Sequence, residues 1–171
     1  MKILRITVKS LLITAIMFYW TIARHEGSHA LMARLEGAEI REIKLLPGIH
    51  KDLGFYFAYV NHAGETSWLT EAAPFFSDLL LMFIASAFLY WKRGTRYYNA
   101  LLLLGFISPI IDLVYNYQGG LWREGTDVSD LLVHVPEAFV HIAFVTSILG
   151  ANCALVFFRK RRINLQKGLS G

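Results

Sequence analysis

The sequence predicts an α-helical integral membrane protein, with about four transmembrane helices and a small β-hairpin or sheet inserted after the first. Three observations lead there. The chain is 55% hydrophobic and 18% charged, with a mean hydropathy of +0.43, which is too apolar for an ordinary soluble domain. Its apolar residues fall into blocks long enough to cross a bilayer. Basic residues collect at the ends of these blocks, and four Trp, eight Tyr and twelve Phe suit interfacial belts. The 171 residues fit a single membrane-embedded domain.

The first expected span covers about 3–35. It has Arg5 and Lys9 near its start and Gly37 as its stop signal. The basic start and apolar run resemble a signal peptide. No small-residue cleavage site follows, so the segment is read as a retained helix. A helix of about 33 residues is roughly 50 Å long, more than a bilayer requires. The segment at about 38–62 changes character. Glu39–Leu46 and Gly54–Val60 are β-prone runs separated by Pro47-Gly48, the pattern of a hairpin or small sheet. Further spans are expected at about 72–91, with Pro74 at its head, at about 97–117 and at about 134–158. Lys92–Arg96 is a short basic loop, and the stretch from Gln118 to Leu132 is a polar one. A basic, polar tail occupies 159–171.

Charge sets the expected orientation. Lys2, Arg5, Lys9, the Lys92–Arg96 loop and Arg159–Arg162 belong on one side of a four-span chain, and the acidic loop on the other. The positive-inside rule then puts both termini in the cytoplasm. The net charge of +4 is explained by this topology, and no nucleic-acid partner is expected. The single cysteine, Cys153, rules out an intrachain disulfide and a Cys-based metal site. It reads as a small packing residue.

The most informative stretch is His25-Glu26-Gly27-Ser28-His29, an HExxH pattern in the C-terminal third of the first span. Histidines four residues apart share one helix face, one turn above the other. Two neutral imidazoles so placed can grip one Zn²⁺, and Glu26 can reach a water on the metal as general base. The motif alone is short and recurs by chance in soluble helices. Within a membrane span it is more telling, because ionisable side chains there are costly and usually functional.

Threading the spans puts other ionisable residues at the same level. Asp78 lies about one turn into the second span. Asp112 is near the end of the third, with Asn116 one turn later on the same face. His134, Glu137 and His141 are expected to form one stripe at the start of the fourth span. Asp127 and Asp130 lie in the adjoining loop. A catalytic zinc takes three protein ligands and keeps one position open. His25 and His29 supply two. Asp112 is the expected third, inside a span and on the right side, and Asp127 is the alternative if the loop folds over the site. His134, His141 and Asn116 are candidates for contacts to substrate or to a developing oxyanion. The bland readings are that Asp78 bonds within the bundle, His62 is a surface histidine, the fourth-span stripe is a solvated interfacial face, and Arg24 and Arg34 snorkel to headgroups.

The stretch from Thr21 to Ile40, containing HEGSHALMARLEGAEI, resembles the site-2 protease family of intramembrane zinc metalloproteases, the M50-like peptidases. There HExxH is followed by a small residue, an arginine-bearing helix end, a glycine and a β-strand. Ala72-Ala73-Pro74 resembles the family's Ala-Gly-Pro segment. Phe106-Ile107-Ser108-Pro109-Ile110-Ile111-Asp112 resembles a degenerate Asn-x-x-Pro…Leu-Asp-Gly segment, with Leu113 where the family has glycine. The resemblance implies Asp112 as third ligand. It also implies a hairpin that offers an edge strand to an extended substrate. The segment Arg123–Pro136 resembles a Gly-Ser-Asp…Pro segment of a divergent branch, which supports Asp127 instead. Well-known members turn the HExxH end to the cytosol; the charges here argue for the opposite side.

The expected activity is therefore hydrolysis of peptide bonds in membrane-embedded or membrane-proximal proteins, with one Zn²⁺ per chain and the bilayer and a membrane protein substrate as partners. The alternatives are a non-proteolytic zinc-binding membrane protein that regulates or binds partners, and a zinc hydrolase with a different substrate.

Overall fold

The computed structural model describes residues 2–50, 54–92 and 96–168. Arg93, Gly94 and Thr95 of the expected basic loop lie outside the described residues. Among the described residues, four helices are long and apolar enough to cross a membrane, which is consistent with a membrane protein. The chain divides into two compact units, Met1–Ser77 and Asp78–Gly171.

The first unit is built on α1 (Lys2–Leu35), which carries the HExxH. Its end is specified locally. Gly37 takes φ 90°, the Ala38 N–H bonds to the Ala33 carbonyl, and the Gly37 N–H bonds to the Arg34 carbonyl. This pair of bonds satisfies the last carbonyls of the helix and needs a left-handed residue at Gly37. Glu36 is thereby the C-cap residue.

The expected hairpin is present as four short strands: β1 (Glu39–Lys44), β2 (Gly48–His50), β3 (Gly54–Tyr56) and β4 (Tyr59–Ala63). They form two antiparallel pairs, β1 with β4 and β2 with β3, so the second pair is nested inside the first. The β1–β4 register shifts between Ile40 and Glu42, a bulge at Arg41 that explains the imperfect alternation of the sequence. Tyr59 donates to the Glu42 carboxylate at 2.5 Å, and the Phe57 ring meets Phe18 of α1 edge-on, with centroids 5.6 Å apart. Gly64, at φ 116°, leads out of β4, and a Cβ there would press on Ala38. The next helix, α2 (Trp68–Trp91), starts four residues before the expected 72 and holds Pro74 inside rather than at its head.

In the second unit, the expected third span is a composite. A short helix α3 (Tyr98–Leu102) runs through a π-helical turn at Leu103–Ile107 into α4 (Ser108–Gly120). The cause is Pro109. It has no N–H for the Gly105 carbonyl, and its ring crowds that carbonyl. The chain widens by one residue, and the Ser108 N–H reaches back to Leu103 O. Gly105 is required beside the bend, because a Cβ there would collide with the Ala85 side chain.

Three expectations about the rest of this unit are corrected. The polar loop contains a helix, α5 (Asp127–His134), capped by Thr126 and Ser129 bonding reciprocally. His134 is the last residue of α5, whereas Glu137 begins α6 (Glu137–Gly168), so these residues do not form one stripe. The reason is Pro136. It biases Val135 out of the helical region, to φ −120° and ψ 139°, and its carbonyl accepts the first bonds of α6. The expected polar tail is also helical through Gly168, since no Gly or Pro interrupts the run from Arg159 to Lys167. The core of this unit gathers Leu89, Tyr98, Phe106, Leu113, Val128 and Phe158, with the Tyr98 hydroxyl bonded to the Phe158 carbonyl at 2.8 Å.

Candidate metal centre

The helical spacing of His25 and His29 is realised as a facing pair. Both rings are buried, their centroids are 5.0 Å apart, and Nε2 of one lies 3.3 Å from Nε2 of the other. His29 is held from behind: its Nδ1 lies 2.8 Å from the Thr70 carbonyl oxygen. A carbonyl can only accept, so Nδ1 carries a proton, and in the neutral ring that leaves the lone pair at Nε2. A backbone acceptor behind an imidazole is the usual device that orients a metal-binding histidine and fixes its tautomer. The Phe75 ring packs edge-on against His25, with centroids 6.1 Å apart. Glu26, next in sequence, is half-buried.

The dimensions suit a metal. Two imidazole nitrogens bound to one tetrahedral ion at about 2.0–2.1 Å stand about 3.3–3.4 Å apart, matching the 3.3 Å between the two Nε2 atoms. Two buried imidazoles are nitrogen donors that several divalent ions accept.

The remaining candidates are placed as follows. Asp127 is the first residue of α5, just after its Thr126 cap. Asp112 is buried in α4. Its Oδ1 accepts from Asn116 Nδ2 at 2.8 Å, and the same Nδ2 reaches the Asp112 carbonyl at 3.0 Å. Asn116 thus serves Asp112 within one helix. His134 is exposed, with Nδ1 2.9 Å from the Asp130 carbonyl of its own helix. His141 lies between Tyr117, whose hydroxyl is 3.0 Å from Nδ1, and Glu137, 3.2 Å from Nε2. Asp78 is fully buried. Arg24 donates to the Ser77 hydroxyl at 3.0 Å, a specific partner where the sequence suggested a headgroup.

Sequence reasoning missed Thr70, Glu36 and Tyr117. Thr70 acts through a backbone carbonyl, which leaves no mark on residue type. A signal did exist in Pro74, which lies four residues on and cannot supply the N–H that the Thr70 carbonyl would take within a helix. Glu36 accepts from the Ser67 N–H and the Thr70 hydroxyl, both at 2.9 Å, and from the Ser67 hydroxyl. The bonds from Ser67, with help from Thr70 and the nearby His62, hold the Glu36 carboxyl below its ordinary pKa.

No protein-family model, curated protein or solved structure matches this chain.

Proposed function

We propose that the protein is an intramembrane zinc endopeptidase that hydrolyses peptide bonds of membrane-embedded or membrane-proximal proteins. The observation that carries the reading is the His25–His29 pair: two buried Nε2 atoms 3.3 Å apart, one backed by the Thr70 carbonyl. An HExxH whose histidines merely faced solvent would need neither the burial nor the orienting carbonyl. The apolar character of α1 and its resemblance to membrane zincins point to zinc and to a substrate within the bilayer.

His25 and His29 would hold the ion, with Asp112 as the third ligand and Asp127 as the alternative. When bound, the ion supplies a Lewis acid that lowers the pKa of water and polarises a carbonyl. Glu26, flanked by the two ligands on α1, is the general base. It takes a proton from the attacking water as the water oxygen bonds to the scissile carbonyl carbon. It then returns that proton to the amine as the C–N bond breaks.

The test uses the full chain in lipid nanodiscs. Zinc content is measured by elemental analysis, and hydrolysis with a panel of quenched fluorogenic transmembrane peptides. The expected result is about one zinc per chain in wild type and in Glu26→Gln, with cleavage lost only in the variant by a factor of at least about 100. Absence of zinc from wild type, or undiminished cleavage by Glu26→Gln, would overturn the proposal. Zinc bound without cleavage of any peptide would leave the non-proteolytic reading.

A further inference from the structure

The bonds around His29 close into a ring of named contacts within the first unit. His29 sits on α1, and Glu36 caps the same helix two turns later. Glu36 grips the first turn of α2: the Ser67 N–H and the Thr70 hydroxyl at 2.9 Å each, and the Ser67 hydroxyl. Ser67 in turn caps α2, with its hydroxyl accepting from the Leu69 N–H at 3.2 Å. A carboxylate at this point also complements the positive end of the α2 dipole. Thr70, clamped by its hydroxyl, then presents its carbonyl to His29 Nδ1 at 2.8 Å. Pro74 has no N–H for that carbonyl, and its ring crowds the oxygen four residues back. An ordinary residue at 74 would offer Thr70 a helical bond competing with His29.

We propose that Glu36 and Pro74 are positioning residues for His29: Pro74 frees the Thr70 carbonyl, and Glu36 fixes where it points. Together they hold His29 as the Nδ1–H tautomer with Nε2 open for a metal. The inference deepens the metal-centre reading and rests on it for the consequence to zinc. The tautomer itself does not depend on metal. Neither residue touches substrate or ion, so their effect passes entirely through His29.

The experiment uses the full chain in nanodiscs with ¹⁵N-labelled histidine. The tautomer of His29 is read by NMR in metal-free protein, its signal assigned by loss in His29→Gln, and zinc affinity is measured by chelator competition. Wild type is expected as the Nδ1–H form. Pro74→Ala and Glu36→Ala are expected to give a mixed tautomer and zinc bound about 10–100-fold more weakly. Thr70→Val, which lacks the hydroxyl that Glu36 holds, should behave like Glu36→Ala, and Thr70→Ser should behave like wild type. Circular dichroism establishes that each variant is folded. If Glu36→Ala does not fold, Thr70→Val against Thr70→Ser tests the same brace. An unchanged tautomer in Pro74→Ala and Thr70→Val overturns the inference and leaves the zinc reading standing. A wild type that binds no zinc, with a tautomer that still follows Pro74, overturns the zinc reading and leaves this one standing.

Discussion

His29 Nδ1 donates to the carbonyl oxygen of Thr70 across 2.8 Å, joining the helix that carries the HExxH to the first turn of the next. A donor from another helix completes the bonding of a carbonyl that Pro74 cannot serve. The histidine acquires a fixed tautomer in exchange.

The third ligand is decided by two isosteric variants. Asp112→Asn is expected to weaken zinc binding by about 10-fold or more, because an amide is a neutral and poorer ligand for the ion than a carboxylate. Asp127→Asn is expected to keep most of the zinc. Chelator competition on both variants gives the answer, and the reverse ranking would move the ligand role to Asp127.

Among the described residues of the second unit, two glycines mark close approaches. A Cβ at Gly105 meets the Ala85 side chain, and one at Gly120 meets Val128. Gly105→Val and Gly120→Val are each expected to destabilise the protein by about 1–3 kcal/mol through overpacking. Gly119→Ala, where a Cβ meets nothing, serves as control. Denaturation in detergent, monitored by helical signal, checks the ranking.

The strand region carries a pH window at each end. Hydrogen bonding to Glu42 pushes the Tyr59 hydroxyl up to about 12. A raised pKa means that its contribution is complete below the unfolded tyrosine value of about 10 and is lost as pH climbs through the folded one. Glu36 behaves oppositely. Its pKa is lowered by Ser67, so its contribution is present above the ordinary glutamate range and fades as pH falls through the lower folded value. Unfolding measured across pH should show Tyr59→Phe flattening the alkaline limb and Glu36→Gln the acid limb.

Orientation in the bilayer can be read by labelling. Cys153 is the only cysteine and is exposed, so the test begins from Cys153→Ser. A cysteine at Lys92 should react with an impermeant maleimide only from the cytoplasmic face, and one at Trp122 only from the opposite face. Labelling with the sides reversed would overturn the charge-based topology.

The sequence showed those parts of the molecule that one residue type or one period can mark. Gly37 gave the end of α1, the paired β-prone runs gave the nested strands, and the HExxH spacing gave a shared face for His25 and His29. Helix α5 leaves little mark in the sequence because it is eight residues long and lies in a polar stretch. Its cap uses Ser129 where a Glu or Gln would have been the recognisable signal. Periodicity alone groups His134 with Glu137 and His141, because it does not register that Pro136 breaks the helix between them. The support behind His29 was hidden for a different reason. A carbonyl belongs to every residue, and only the proline four positions later distinguishes that of Thr70.

The wide turn at Leu103–Ile107 gives the third span an adjustable phase. Each residue added to or taken from a helix turns everything beyond it by about 100°. Removing one residue from this turn would take out the extra residue that widens it. It would also swing Asp112, Asn116 and Tyr117 together onto another side, leaving their mutual spacing intact. At this point in the chain, a change of length could re-aim a whole set of polar side chains that no single substitution could move.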